Sequence, residues 1–201
     1  MGDRTCQPAG VRLAPDASRH GGFTLIEVLI YAGILAILTL PISSVVMVSI
    51  RSTRENDALN RVAERNRVAV NRVAQELRPA LRDTVTITNS NRHLTLTLPD
   101  GFDGTNVVPG AQVRFELEMA TGEQQNGADD NGNGLVDEGQ LQRRDLGTGE
   151  VVSICQDLDL SQSRFEFSGA SVVVTVATAG RSGHGTNVHV LARSATVTPR
   201  N

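Results

Sequence analysis

The feature that most constrains this chain is an apolar run near its N-terminus. The stretch from Phe23 to Ile50 contains a single charged residue, Glu27, in 28 positions. A helix of about 20 apolar residues is long enough to cross the hydrocarbon core of a bilayer. The sequence therefore predicts a membrane-spanning helix here, and only the rest of the 201 residues remains to form a folded domain.

The segment before this run has the wrong order for a secretory signal peptide. In a signal peptide the apolar stretch comes before a small-residue cleavage site, whereas Gly21 and Gly22 come before the apolar stretch in this chain. The first 22 residues are polar and lack apolar periodicity, which is typical of a leader. Cleavage after Gly22 would leave the apolar helix on the mature chain and would free the amine of Phe23.

Glu27 is the residue of this helix that most needs a physical explanation. A carboxylate within a membrane costs about 2.5–3.5 kcal/mol on insertion scales and is usually functional. A positive charge at the N-terminus of another copy or another subunit is a candidate partner, and a carboxylate in the first turn also suits the helix dipole. The alternative interpretation is a side chain that reaches the headgroups from the end of an ordinary anchor.

The run from Gly22 to Ile30, Gly-Phe-Thr-Leu-Ile-Glu-Val-Leu-Ile, resembles the prepilin cleavage and methylation motif of type IV pilins and pseudopilins. The resemblance implies that a prepilin peptidase cuts between Gly22 and Phe23 and methylates the amine of Phe23. It implies that Glu27 neutralises a neighbouring subunit's N-terminus during assembly. The expected partners are other pilin or pseudopilin subunits and the inner-membrane assembly platform. The leader would face the cytoplasm and the head the periplasm, in a single-pass inner-membrane protein that later enters the pilus or pseudopilus.

The pattern after Ile50 predicts an amphipathic helix that continues the membrane span. Apolar residues recur there at helical spacing, and Arg residues occupy many of the other positions. Pro41 is expected to kink the helix, and Pro79 marks its expected end. The predicted apolar stripe consists of Leu59, Val62, Ala63, Asn66, Ala69, Val70, Val73, Ala74, Leu77 and Leu81.

After Asp83 the apolar period changes to two, which predicts half-buried strands joined by turns at 89–91, 99–101 and 168–170. We therefore expect an α+β protein with a type IV pilin-like fold, in which a long N-terminal helix packs on an antiparallel β-sheet head. The expected division is a leader at 1–22 that is removed, a transmembrane and filament-core helix at 23–50, an amphipathic helix at 51–82 and a β-rich periplasmic head at 83–201.

The loop at 122–140 contains a candidate calcium site. Counted from Asp129, oxygen-bearing side chains stand at places 1, 3, 5 and 9, and Gly134 stands at the sixth place, where an EF-hand loop turns sharply. Gln140 replaces the usual Glu at the twelfth place, and no helical pattern flanks the loop. An exposed Gly/Asn/Asp loop without a metal is the alternative interpretation. The candidate ligands are Asp129, Asn131, Asn133, Leu135, Asp137 and Glu138.

The remaining sequence indicates neither catalysis nor nucleic-acid binding. The net charge is -3 and no long basic block occurs, so no nucleic-acid partner is expected. The four His residues lack metal-ligand or hydrolase spacing. Ser182, His184 and Asp157 could be combined on paper into a Ser-His-Asp catalytic triad, but any chain of this length offers such a combination. Cys6 lies in the leader, so removal of the leader would leave Cys155 as a lone cysteine. It is expected to be a small buried residue on a strand, and an intermolecular bridge is the alternative interpretation.

The sequence thus predicts a non-enzymatic subunit, a minor pilin or minor pseudopilin that helps to initiate or cap a type IV pilus or a type II secretion pseudopilus. The alternative is a membrane-tethered calcium-binding or adhesive module that uses the pilin signal for export. Ca²⁺ is the one cofactor that the sequence suggests. Whether the machine is a pilus, type II secretion or DNA uptake stays open.

Overall fold

The structure, a computed structural model, describes residues 22–181 and 188–200. It consists of one long helix, α1 (Leu25–Leu77), followed by an antiparallel sheet. The chain divides into two units, Met1–Met47 and Val48–Asn201. Helix α1 contributes its N-terminal part to the first unit and its C-terminal part to the second.

The first unit contains the apolar part of α1. An 18-residue window of this helix has a mean hydropathy of 2.3 and no buried residue, so by length and composition the helix can cross a membrane. The helix runs without a break through Pro41, and this proline therefore does not end it. Nearby hydroxyl groups donate hydrogen bonds to carbonyl oxygens within the helix, which satisfies polar groups in an apolar setting. The donors are Thr39, Ser43 and Ser44.

In the second unit, one face of α1 is buried against the sheet. The buried helix residues recur every three or four positions, as an amphipathic helix requires. Leu59 of the predicted stripe is 41% exposed, so the buried face begins one turn later, at Val62. Ala63 and Leu81 are half-buried. The buried residues are Val62, Asn66, Ala69, Val70, Val73, Ala74 and Leu77.

A 3-10 turn at Arg82–Thr84 connects α1 to the sheet. The strands of the described residues are β1 (Thr86–Thr88), β2 (His93–Phe102), β3 (Val107–Met119), β4 (Gly139–Asp145), β5 (Val151–Leu158), β6 (Arg164–Ser168), β7 (Ser171–Arg181) and β8 (Val188–Val197). They pair in the order β1-β2-β3-β4-β5-β7-β6, and β8 pairs with β7. Leu158 and Thr178 form the one register pair between β5 and β7 within the described residues.

The core lies between the buried face of α1 and the inner face of the sheet. Alternate residues of the strands are buried there, because successive side chains of a strand point to opposite faces. Phe115 and Phe165 are the largest of the fully buried side chains. The α+β class and the packing of a long N-terminal helix on an antiparallel sheet, both predicted from the sequence, are confirmed.

The turns agree with the sequence pattern where local chemistry favours positive φ. Asn89–Asn91 connects β1 to β2, and its three residues have φ values of 51°, 51° and 68°. Gly169, with φ 60°, lies in the two-residue connection between β6 and β7. Asn and Gly both tolerate this region of backbone conformation.

The predicted turn at 99–101 is wrong, because Pro99 and Gly101 lie inside β2. The register between β2 and β3 shifts at both residues, and such bulges accommodate a proline without an N–H group and a glycine with unusual φ. The hairpin turns instead at 103–106. There Asp103 Oδ1 accepts hydrogen bonds from the backbone N–H groups of Thr105 and Asn106 at 2.9 and 2.7 Å.

Candidate functional site

The start of α1 is set by two residues of the N-terminal segment. The Glu27 N–H donates to Thr24 Oγ1 at 3.3 Å, and the Val28 N–H donates to the Thr24 carbonyl oxygen at 3.2 Å. Thr24 is therefore the N-cap, and Glu27 is the third helical residue. This Thr-x-x-Glu spacing is that of a capping box. The sequence thus begins the helix two residues after the bond between Gly22 and Phe23.

The Glu27 carboxylate lies in the first turn of α1 and is the single charged residue of its apolar part, up to Ile50. Among the residues that the structure describes, no side chain pairs with this carboxylate. Its neighbours Ile26 and Val28 are 67% and 55% exposed, so the surrounding surface is apolar. An ionisable group in a membrane-spanning stretch usually pairs with another polar or charged group.

Gly22 and Phe23 precede the helix and are exposed. A Cβ atom added at Gly22 would meet no atom within 4 Å, so the packing of the described chain does not require glycine there. The Phe23 ring makes an edge contact with the ring of Tyr31, with a centroid separation of 6.4 Å. The peptide bond between Gly22 and Phe23 therefore lies between two exposed residues, and packing within the described chain does not account for the glycine.

The comparison with known families matches this same segment. The family model described as the prokaryotic N-terminal methylation motif covers residues 17–43, which include the bond between Gly22 and Phe23 and the capping box. This segment of the chain carries the N-terminal motif of type IV pilin-like proteins. No curated protein and no solved structure matches it.

Type IV pilin-like proteins are structural subunits of filaments. The motif implies processing by a prepilin peptidase and assembly with other pilin subunits. The exposed apolar part of α1 is consistent with anchoring in a membrane.

The second candidate site is the loop between β3 and β4. Asp129 organises its turn: Oδ1 accepts hydrogen bonds from the N–H groups of Gly132 and Asn133, and Oδ2 accepts one from Gly134 at 2.8 Å. The side-chain oxygens of Asn131 and Asn133 accept from the N–H groups two residues further on. Gly134 has φ 88°, which explains a glycine at the sixth place of the loop.

Two buried carboxylates meet this turn. Glu138, 2% exposed, accepts hydrogen bonds at Oε1 from the Nδ2 atoms of Asn131 and Asn133, both at 2.6 Å. Glu123, 7% exposed, accepts at Oε1 from the Asn131 N–H at 2.9 Å. The Oε2 atoms of Glu123 and Glu138 are buried and have no hydrogen-bond partner among the described residues. Each carboxylate is therefore only half satisfied.

The structure brings only part of the predicted ligand set together. Asp137 turns to another part of the loop and accepts hydrogen bonds from the N–H groups of Asn126 and Gly127. Leu135 is buried. Glu123 was missed by the sequence pattern, since it precedes Asp129 and lies outside the twelve-place register.

Carboxylates alone do not form a metal centre here. Among residues 22–181 and 188–200, no group of three or more His, Cys, Asp or Glu side chains could hold a metal ion. A cation in this loop would therefore need backbone carbonyl, amide or water oxygens in addition to the carboxylates. Calcium accepts such mixed oxygen ligands.

The other residues singled out from the sequence have structural surroundings. Cys155 is a free thiol on β5 within the core. Burial raises its pKa to about 11, with the Asp157 charge adding to the rise and Arg65 opposing it. Asp157 forms an ion pair with Arg65, whereas Ser182 and His184 lie outside the described residues. A thiol with so high a pKa stays protonated at neutral pH and is a poor nucleophile.

Proposed function

We propose that this type IV pilin-like protein is a minor pilin or minor pseudopilin, a low-copy subunit that helps to initiate or cap a filament. The observation that carries the proposal is the Glu27 carboxylate, which lies in the first turn of an exposed apolar helix without a partner in the described chain. A filament packs such helices together, and packing supplies both the apolar surroundings and the missing charge. The head, which has eight strands in its described residues, is larger than a minimal subunit would need.

The proposed partner of Glu27 is the amine of Phe23 on a neighbouring subunit. Cleavage after Gly22 creates this amine at the start of the apolar helix, where the helix dipole also favours a nearby carboxylate. A charge pair formed away from water is attractive, and an unpaired charge there is strongly unfavourable. Glu27 would thus make addition of a subunit depend on prior cleavage.

The proposed division of the chain follows from this role. Residues 1–22 form a cytoplasmic leader that the peptidase removes, and 23–50 span the inner membrane before they enter the filament core. Residues 51–82 then connect to a periplasmic head at 83–201. The expected partners are the prepilin peptidase, other pilin or pseudopilin subunits and the inner-membrane assembly platform.

A pair of substitutions on α1 tests the proposal. Glu27→Ala should leave cleavage intact but remove the subunit from sheared filaments, because the subunit can no longer pair with its neighbour. Glu55→Ala is the matched control, since Glu55 is an exposed carboxylate further along the same helix. Incorporation of Glu27→Ala at the wild-type level would contradict a role in assembly.

A deletion strain assigns the machine. Loss of surface pili with normal protein secretion would identify a minor pilin, whereas loss of secretion with normal pili would identify a minor pseudopilin. Surface pili should be counted and secreted proteins assayed on the same cultures.

The half-satisfied carboxylates of Glu123 and Glu138 favour a second candidate function, a membrane-tethered calcium-binding or adhesive module. Such a module would use the N-terminal motif only for export and anchoring. It would keep its activity in the Glu27→Ala variant, and its deletion would affect neither pili nor secretion.

A further inference from the structure

We infer that the loop between β3 and β4 binds one calcium ion, with Glu123 and Glu138 as its charged ligands. Oxygen atoms of the turn at 129–133 and water would complete the coordination. The inference is independent of the filament role, because it rests on the loop alone.

The main observation is that two buried carboxylates leave one oxygen each without a partner. Glu123 and Glu138 are both more than nine-tenths buried, and their Oε2 atoms make no hydrogen bond within residues 22–181 and 188–200. Buried polar atoms are almost always paired, and a buried charge needs a compensating partner. A cation that contacts both Oε2 atoms would satisfy them at once.

Both carboxylates are held at the same residue. The Asn131 N–H donates to Glu123 Oε1, and Asn131 Nδ2 donates to Glu138 Oε1. The Oε1 atoms are thus used to orient the carboxylates, and the Oε2 atoms remain available. In metal sites a ligating carboxylate is typically held in the same way, by hydrogen bonds from the protein to its other oxygen.

The local charge also favours a cation. Residues 122–140 contain five acidic side chains and no Lys or Arg. Arg181 of β7 lies against the turn, close enough that a Cβ at Gly134 would meet its Nη1 atom at 2.3 Å. With this guanidinium in place, the Oε2 atoms of Glu123 and Glu138 still have no hydrogen-bond partner.

The ligand chemistry points to calcium rather than to a transition metal or magnesium. The loop offers oxygen atoms only, which suits hard cations. Calcium accepts six to eight oxygens in irregular geometry, whereas magnesium requires a near-ideal octahedron and retains its water. A loop that supplies two carboxylates and several uncharged oxygen ligands suits the coordination that calcium accepts.

The test uses the full chain in detergent micelles, freed of divalent ions with a chelator. Calorimetric titration with calcium chloride should show one bound equivalent of calcium. Saturating calcium should also raise the melting temperature of the second unit, Val48–Asn201, by several degrees. Glu138→Gln and Glu123→Gln should abolish both effects. Each Gln keeps a carbonyl oxygen for the Asn131 donors, so the calcium-free melting temperature should stay the same or rise. Glu150→Gln, at an exposed carboxylate outside the loop, is the matched control and should keep the full calcium response.

Three outcomes would overturn the inference. The first is a wild-type chain that neither binds calcium nor changes its melting temperature. The second is an undiminished calcium response in Glu138→Gln, which would place the ion elsewhere. The third is an equal response to magnesium at the same concentration, which would exclude a calcium-selective site. The titration of the wild-type chain decides the matter even if a variant fails to fold.

Discussion

Val62 of α1 packs directly onto Gly180 of β7, and a Cβ at Gly180 would lie 2.3 Å from Val62 Cγ2. Close by, Thr178 Oγ1 donates a hydrogen bond to the Val62 carbonyl oxygen at 3.0 Å, with Thr178 fully buried. The glycine and the threonine together let the helix backbone approach the strand closely. This pair of contacts determines where along α1 the sheet begins to cover the helix.

Gly180→Ala should therefore destabilise the second unit, Val48–Asn201. The added methyl group would overlap the Val62 side chain, and overpacking of this kind costs about 1–3 kcal/mol. The measurement is the free energy of unfolding from denaturant titration. Gly180→Ala should cost less stability in a Val62→Ala background than in the wild type, because the two side chains no longer compete for space. Equal costs in the two backgrounds would mean that the close contact is not the cause.

Glu76 attaches α1 to β4, and its replacement should also weaken the fold. Its carboxylate accepts from Arg143 Nε at 2.8 and 3.0 Å and pairs with Arg72 at 3.0 Å, with only 13% of the side chain exposed. Glu76→Gln should lower the free energy of unfolding by about 2 kcal/mol, because Arg143 loses a charged partner. Glu64→Gln removes an exposed pair with Arg67 and should cause no measurable change. Equal effects of the two substitutions would refute this account.

Gly22→Val should block cleavage without disturbing the described fold. A side chain at this position meets no atom of the chain within 4 Å, so its effect would fall on recognition by the peptidase. Mass spectrometry should find the uncut precursor for this variant, and for the wild type a chain that begins at Phe23 with one added methyl group. Gly33→Val is the control, since Gly33 also faces open space but lies inside α1. A mature wild-type chain with a different first residue would refute the cleavage site.

Cys155 should make the stability of the fold fall at high pH. Burial raises the pKa of the thiol from its ordinary value of 9.0 to about 11. Below pH 9.0 the thiol is protonated in both states, so its contribution is constant there. Between these pKa values the unfolded thiol ionises while the folded one does not, and the free energy of unfolding decreases by at most about 1 kcal/mol per pH unit.

Cys155→Ala isolates this contribution. The variant should be less stable at every pH because it loses core volume, but its decline between pH 9.0 and about 11 should be shallower than that of the wild type. Parallel pH profiles for the two proteins would show that the thiol does not titrate as expected.

The long N-terminal helix could be predicted from the sequence. An apolar helix depends on composition along one stretch, and its start depends on Thr24 and Glu27, which lie three residues apart. The positive-φ turns at Asn89–Asn91 and Gly169 were found for the same reason, since the residue type alone favours that conformation. In all these places the interacting groups are neighbours in the chain.

The errors occur where the partner is distant in sequence. The sequence placed a turn at 99–101, but pairing with β3 carries β2 past Pro99 and Gly101 and accommodates both as register shifts. Leu59 has the right spacing for the buried stripe, yet it is exposed, because burial depends on which part of the helix the sheet covers. Periodicity shows that a residue could be buried but does not locate the surface that buries it.

The sequence by itself determined an apolar helix long enough to cross a membrane, the family of the N-terminal motif and the α+β class, because these follow from composition and from contacts within a few residues. Only the tertiary structure decided that Gly180 must be small, that Glu123 joins Glu138 at Asn131, and that Asp137 turns away from them. These relationships join side chains from separate segments. The folded backbone alone sets their distances.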